Sequence, residues 1–290
     1  MRYRVGGPSA GWWWTCGRRT STAPSTSPGC SSCPGTGPGA PTTYAARAAT
    51  SSALLGVSLG ANAVFALLDL VRSLTTPKPL NQQTQTLVQS AVPGRPWLDL
   101  AFQLASIGFG LVPALLAVHL VRRDHGSAGR VLGLVPARPG FDALTGAGLA
   151  ALIGIPGLGL YVAARSAGFN VTVVPAALPD VWWKVPVLVL AAVQNGVLEE
   201  VVVVGYLVTR LEQLRWRVPA IVAASALLRG SYHLYQGFGG FLGNAAMGVV
   251  FALVFLRTRR VGPLVLAHSV LDIVAFVGYV LFARHLAFLR

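Results

Sequence analysis

Six ionisable side chains, Glu199, Glu200, Arg229, His233, His268 and Asp272, fall inside the last four strongly apolar stretches of the sequence. On insertion scales a charged side chain at the centre of a lipid-embedded helix costs roughly 2.5 to 3.5 kcal/mol, so several without partners outweigh the gain from the Leu and Val around them. They are therefore expected to pair, hold an ion or do chemistry. On a regular helix Asn195 and Glu199 share a face with Tyr206, while Glu200 is rotated by about 100° toward Gly196 and Val204. Ser225, Arg229 and His233 make a second stripe at a spacing of four, and His268 and Asp272 a third. Three helices that each carry one polar stripe can turn all of them toward one interior chamber.

Such a chamber holds the parts of a peptide hydrolase. A carboxylate can take a proton from water, imidazoles can ligate a metal or hydrogen-bond an oxyanion, and a guanidinium can hold a second carboxylate in place. Two adjacent buried carboxylates call for a cation close by, and Arg229 is the candidate.

The elements that must carry these residues follow from composition. With 53% hydrophobic and 11% charged residues in 290, and a mean hydropathy of +0.60, the chain reads as an all-α polytopic membrane helix bundle. The net charge of +14 does not indicate nucleic acid, because the 23 Lys and Arg stand in short clusters at the ends of apolar runs. The runs lie near 52–71, 98–121, 141–164, 184–208, 218–235, 239–256 and 262–283. Each is close to the ~20 residues that cross ~30 Å of hydrocarbon, which predicts about seven transmembrane helices. The fifth and sixth, parted only by Gln236-Gly237-Phe238, predict a tight hairpin, with Gly240, Asn244 and Gly248 as a helix-contact stripe. Fifteen Lys and Arg fall on one side of this arrangement and seven on the other, which predicts a cytoplasmic N-terminus and an outward C-terminus.

Residues 1–50 are rich in Ser, Thr, Pro and Gly and predict a disordered tail ahead of a transmembrane domain over 51–290. Cys16, Cys30 and Cys33 lack a fourth partner, so neither a zinc knuckle nor a disulfide scaffold is expected. The stretch 73–97 is the longest non-apolar connection, and Asn62, Gln103 and Asn244 read as packing amides.

The segments GVLEEVVVVGYLVTRL, SALLRGSYHLYQGFGG and AHSVLDIVAF, within the core 184–284, resemble in order the motifs of the CPBP intramembrane proteases. That group contains the type II CAAX-processing enzymes and the bacteriocin self-immunity proteins. The resemblance implies that Glu199 acts as general base with His233 on the attacking water, and that Glu200 is its oriented partner. It also implies that His268 and Asp272 stabilise the oxyanion or complete a metal site. A Zn2+ ion held by His233, His268, Glu199 and Asp272 and a metal-free glutamate mechanism both remain open, since no HExxH helix exists. An ionised Asp272 cannot donate to an oxyanion, which tilts the reading toward metal. Two positions depart from the family pattern. Val204 stands where the family has Arg, and Arg229 where it has Phe. The expectation is that the guanidinium has moved to the neighbouring helix and still pairs with Glu200, so that arginine restored at 204 would rescue its loss.

The leading expectation is an intramembrane endopeptidase that cuts near the cytoplasmic face of a bacterial plasma membrane. Its partners are lipid and a peptide or protein substrate, with no nucleic acid and an open oligomeric state. The alternatives are a catalytically silent membrane scaffold or immunity protein, and a proton-coupled transporter, for which no inverted repeat is visible.

Overall fold

The computed structural model describes residues 44–282. The cysteines, most of the predicted tail and the C-terminal Arg284, His285 and Arg290 lie outside the described residues. The boundary expected at residue 50 moves, because α1 (Tyr44–Gly56) already begins at Tyr44. Its opening run Ala45-Ala46-Arg47-Ala48-Ala49 consists of strong helix formers, which a composition-based reading of the tail overlooks.

The remaining helices are α2 (Leu59–Thr75), α3 (Pro96–Gly110), α4 (Val112–His125), the short α5 (Ala128–Val131), α6 (Pro139–Ser166), α7 (Lys184–Glu199), α8 (Leu207–Gln213), α9 (Val218–Ser231), α10 (Phe238–Thr258) and α11 (Gly262–Phe282). All seven apolar runs are helical. By length and composition five helices can cross a membrane: Pro96–His125, Pro139–Ser166, Lys184–Gln213, Phe238–Thr258 and Gly262–Phe282. A sixth follows if α1 and α2, bent by 44° at their junction, count as one span. The expected seventh, α9, has 14 residues and at 1.5 Å per residue reaches only about 21 Å.

Two strands were not foreseen. β1 (Thr84–Gln89) and β2 (Thr172–Ala177) pair in parallel, Thr84 opposite Thr172 and Val88 opposite Ala176. The stretch 73–97 is thus a structured connection, and its TQTLVQ segment has the β-branched content of a strand. Asn170 forms a bridge with Gly237, so the connections after α2, α6 and α9 meet at one end of the helices.

At the opposite end the arginine clusters meet acids. Arg210 contacts Asp124 at 2.6 Å, Arg259 contacts Glu212, and Arg260 contacts Asp142. The hydrogen bonds from Glu212 and Asp142 push the two connecting-loop guanidiniums, Arg259 and Arg260, further above their already high ordinary range. Between the two ends, the buried side chains of α4, α6, α8, α9, α10 and α11 pack into one apolar core around Val201–Val204, Phe251 and Phe255.

Candidate active site

Two close helix approaches bring the stripes together. At Gly196 a Cβ would stand 2.6 Å from Ser269 Oγ and 3.1 Å from the Val265 carbonyl, so only glycine lets α7 lie this near α11. One turn along, Glu199 and Glu200 face His268. At Gly248 a Cβ would stand 2.8 Å from Ala226 Cα and 3.3 Å from Arg229 Cδ, which seats α10 on α9 directly behind the guanidinium. Of the expected contact stripe, Gly248 takes one of these tight positions, Gly240 is crowded by Gln236 and the His233 carbonyl of the preceding turn, and Asn244 donates to the Gly240 carbonyl within its own helix.

After Glu199 the helix changes form. Glu200–Tyr206 is a π-helix, the sequence EVVVVGY, and every residue in it is buried. Four consecutive β-branched valines and a glycine are weak α-formers, and wide turns of this kind concentrate at functional sites. The widened turn breaks the face expected to join Asn195, Glu199 and Tyr206. Tyr206 instead meets Ser51 at 3.2 Å and lies under the Arg210 guanidinium, well away from the carboxylates. It also carries the helix on to Gln213, so Glu199 stands near the middle of the Lys184–Gln213 rod. The helix runs past 208, where the apolar run ends, with Arg210 buried against Asp124.

The carboxylates are held asymmetrically. Arg229 Nη2 donates to Glu200 Oε1 at 2.7 Å, and Nη1 to Glu199 Oε2 at 3.2 Å. Glu200 Oε1 also accepts from His268 Nδ1 at 2.6 Å, and Glu199 Oε2 from the Tyr232 hydroxyl at 2.7 Å. Glu200 and Arg229 are fully buried, whereas the Glu199 side chain is 12% exposed. The Asp272 side chain is 22% exposed; it accepts from Asn195 Nδ2 at 3.3 Å and lies 3.7 Å from His268 Nε2. His233 sits past the end of α9, half-buried, its ring 4.7 Å from that of Tyr232. His233 Nδ1 is 2.9 Å from the Arg229 carbonyl. A carbonyl only accepts, so Nδ1 carries the proton and Nε2 of the neutral ring is left with a lone pair.

All six singled-out side chains thus belong to one cluster, with Arg229 reaching both glutamates from the adjacent helix. Tyr232 was missed, although three residues beyond Arg229 it falls on the same helical face. Asn195 was placed on the right face without a partner. The π-helix was missed altogether.

The donor set expected for zinc is not the one assembled. The atoms that lie within 4.8 Å of one another come from Glu199, Glu200 and His268, without His233 or Asp272. Glu200 Oε1 is already shared by Arg229 and His268, and Glu199 Oε2 by Arg229 and Tyr232. A fixed guanidinium touching both carboxylates supplies positive charge where a dication would sit and repels one. Of the four expected ligands only Glu199 and His268 fall in this group, joined by Glu200.

Residues 181–274 match the family described as type II CAAX prenyl endopeptidase Rce1-like. Over that stretch the chain is similar to the Rce1-like members of the CAAX-protease family. The matched segment covers about a third of the sequence, opens just before α7, closes two residues beyond Asp272 and so includes every singled-out residue. The helices preceding it and both strands lie outside the match. No curated protein and no solved structure matches the chain. Its long apolar helices and this match make the chain an integral membrane protein, and the matched family is one of hydrolases.

Proposed function

We propose that the protein hydrolyses a peptide bond inside the membrane by a glutamate mechanism, with Glu199 as base. The observation that carries this reading is the inequality of the two carboxylates. Glu200 is sealed, and one of its oxygens is fixed by Arg229 and His268. Glu199 has Oε2 fixed by Arg229 and Tyr232, while its Oε1 has no hydrogen-bond partner among the described residues and its side chain is 12% exposed. One carboxylate is therefore positioned for proton transfer and the other for holding the frame.

In this mechanism a water lies between Glu199 Oε1 and the lone pair of His233 Nε2. Glu199 takes a proton as the water oxygen attacks the carbonyl carbon. His268, flanked by Glu200 and Asp272, stabilises the oxyanion that forms. Collapse of the tetrahedral intermediate breaks the C–N bond, and the proton held on Glu199 passes to the departing amine. Asp272, as an acceptor from Asn195 and a neighbour of His268, orients the imidazole instead of ligating metal.

The family description suggests a prenylated CAAX-type C-terminus as the first substrate class to try. The Lys and Arg distribution supports a cytoplasmic N-terminus in a plasma membrane, and Ala, Arg, Gly and Pro abundance a bacterial one. The test is purified protein in nanodiscs with a farnesylated Cys-a-a-X peptide and its unprenylated counterpart. Cleavage that disappears in Glu199→Gln and in His233→Ala supports the enzyme. Cleavage that survives both substitutions removes the assigned roles. A cellular phenotype unchanged in both would favour the silent scaffold.

A further inference from the structure

We infer that Asn170 is a positioning residue for His233: it caps α10 from a distant connection and thereby fixes the turn that aims the imidazole. The inference rests on the assignment of His233 to the attacking water and adds to it what holds that ring in place.

The first N–H groups of a helix have no partner within it, and the side chain just ahead of the helix normally accepts from the second or third of them. At the start of α10 that position is Gly237, which has no side chain to offer. Nothing larger fits there. Gly237 has a φ of +104°, and a Cβ would collide with the Phe169 carbonyl and stand 2.8 Å from Asn170 Cα. Asn170 takes over the task. Its Oδ1 accepts from Gly239 N–H at 2.8 Å and from Gly240 N–H at 3.3 Å, the second and third residues of α10. The cap is thus supplied by the connection between α6 and β2.

The neighbours of Asn170 grip the same turn. The Phe169 carbonyl accepts from Phe238 N–H at 3.0 Å, and Val171 N–H donates to the Gln236 carbonyl at 3.1 Å. Gln236 N–H in turn donates to the His233 carbonyl at 3.0 Å, and a Cβ on Gly240 would stand 3.1 Å from that carbonyl. His233 is therefore held from two sides. Its ring is tied to α9 through the Arg229 carbonyl, and its backbone rests on the first turn of α10, which Asn170 seats. Asn170 is 2% exposed and stands ahead of residues 181–274, so it lies outside the family match.

The experiment compares Asn170→Ala, Asn170→Asp and Tyr161→Phe in nanodiscs. Asn170→Ala removes the acceptor, whereas Asn170→Asp keeps one for both N–H groups at a helix N-terminus, where a carboxylate caps as well as an amide. Tyr161→Phe removes the hydroxyl that accepts from Val173 N–H at 3.0 Å, a bond of the same connection that does not reach the turn. Hydrolysis of the farnesylated Cys-a-a-X peptide is measured beside the thermal midpoint. The His233 ring is followed by NMR of isotope-labelled histidine, its signals assigned by their loss in His233→Ala.

The wild type should show one neutral His233 tautomer, protonated at Nδ1. Asn170→Ala is expected to mix the two tautomers and to lower kcat by about ten- to a hundredfold with KM nearly unchanged, the scale of a misplaced catalytic group. Asn170→Asp should restore both readouts, and Tyr161→Phe should lower the midpoint alone. Where Asn170→Ala does not fold, Val171→Pro cuts the bond to the Gln236 carbonyl instead and should give the same kinetic and NMR result.

An unchanged kcat and an unmixed tautomer in Asn170→Ala overturn the inference. Equal losses of kcat in Asn170→Ala and Tyr161→Phe do so too, because Asn170 would then contribute stability alone. Failure of Asn170→Asp to recover either readout also overturns it. A wild type that cleaves no peptide, with a His233 tautomer that still follows Asn170, removes the proteolytic reading and leaves the positioning role standing.

Discussion

Arg229 holds Glu200 across a helix interface, with Nη2 2.7 Å from Oε1 and both side chains fully buried. The cation that this carboxylate pair needs comes from α9 and not from the helix that bears the glutamates. Since Glu199 shares the same guanidinium, one side chain neutralises and orients both acids.

Arg229→Leu would leave two buried carboxylates without their cation. A loss of about 3 to 5 kcal/mol is expected for breaking a buried pair from one side, read as a large drop in the thermal midpoint of the detergent-solubilised protein. Arg229→Lys keeps charge without the fork that reaches both acids, and should recover stability only in part. Arginine at 204 should not rescue it. Val204 is fully buried in the apolar core of the π-helix, and a guanidinium there would be a second unpaired charge. Recovery of folding in Arg229→Leu/Val204→Arg would overturn this account and restore the expectation drawn from sequence.

Tyr232→Phe removes one of the two donors to Glu199 Oε2 and little volume. We expect kcat to fall by roughly ten- to a hundredfold, from a lost hydrogen bond to a charged group of about 1.5 to 3 kcal/mol, with KM nearly constant. A change confined to KM would show that Tyr232 contacts substrate and does not position the base.

Gly196→Ala should drive α7 off α11, because the new methyl meets Ser269 Oγ and the Val265 carbonyl. A cost of about 1 to 3 kcal/mol is expected, with loss of activity as His268 leaves Glu200. Ser269 Oγ has no hydrogen-bond partner among the described residues, so Ser269→Ala alone should be mild and should partly restore Gly196→Ala. Additive effects in the thermal midpoints of this cycle would show that the two positions do not touch.

The donor geometry makes a further expectation on metal. Peptide hydrolysis should persist after treatment with a strong chelator, and the active preparation should contain far less than one zinc per chain by elemental analysis. Activity that vanishes on chelation and returns with added zinc would show that Arg229 yields its place to an ion.

Much of the site could be read in the sequence because lipid makes polar side chains conspicuous. Glu199, Glu200, Arg229, His233, His268 and Asp272 stood out against apolar surroundings, and a spacing of four put Arg229 with His233 and His268 with Asp272 on one face each. The features that stayed hidden are those whose signal is backbone geometry or shared surroundings. Regular helical phase carries the Glu199 face to Tyr206, and nothing in simple periodicity marks the wide turn that diverts it to Ser51. Tyr232 is an ordinary apolar-run aromatic until its hydroxyl is seen on Glu199. β1 and β2 are 88 residues apart in register, as Thr84 opposite Thr172 shows, so neither segment reveals its partner locally.

Deleting one residue from Val201–Val204 should convert the π-helix to regular α-helix and leave everything beyond it in nearly the same angular phase, because the wide turn absorbs one extra residue. Tyr206 and Arg210 should keep Ser51 and Asp124. We expect a folded protein with both faces intact, read from its thermal midpoint. Loss of folding would show that the wide turn does more than absorb the extra residue.

The π-helix thereby acts as a phase shifter within a single rod. Residues up to Glu200 answer to the chamber, residues from Tyr206 onward answer to the arginine-bearing rim, and the two halves read different angular zeros. Rim anchors such as Arg210 and Glu212 can drift in sequence, or trade partners with α4 and α10, without rotating the carboxylates out of alignment.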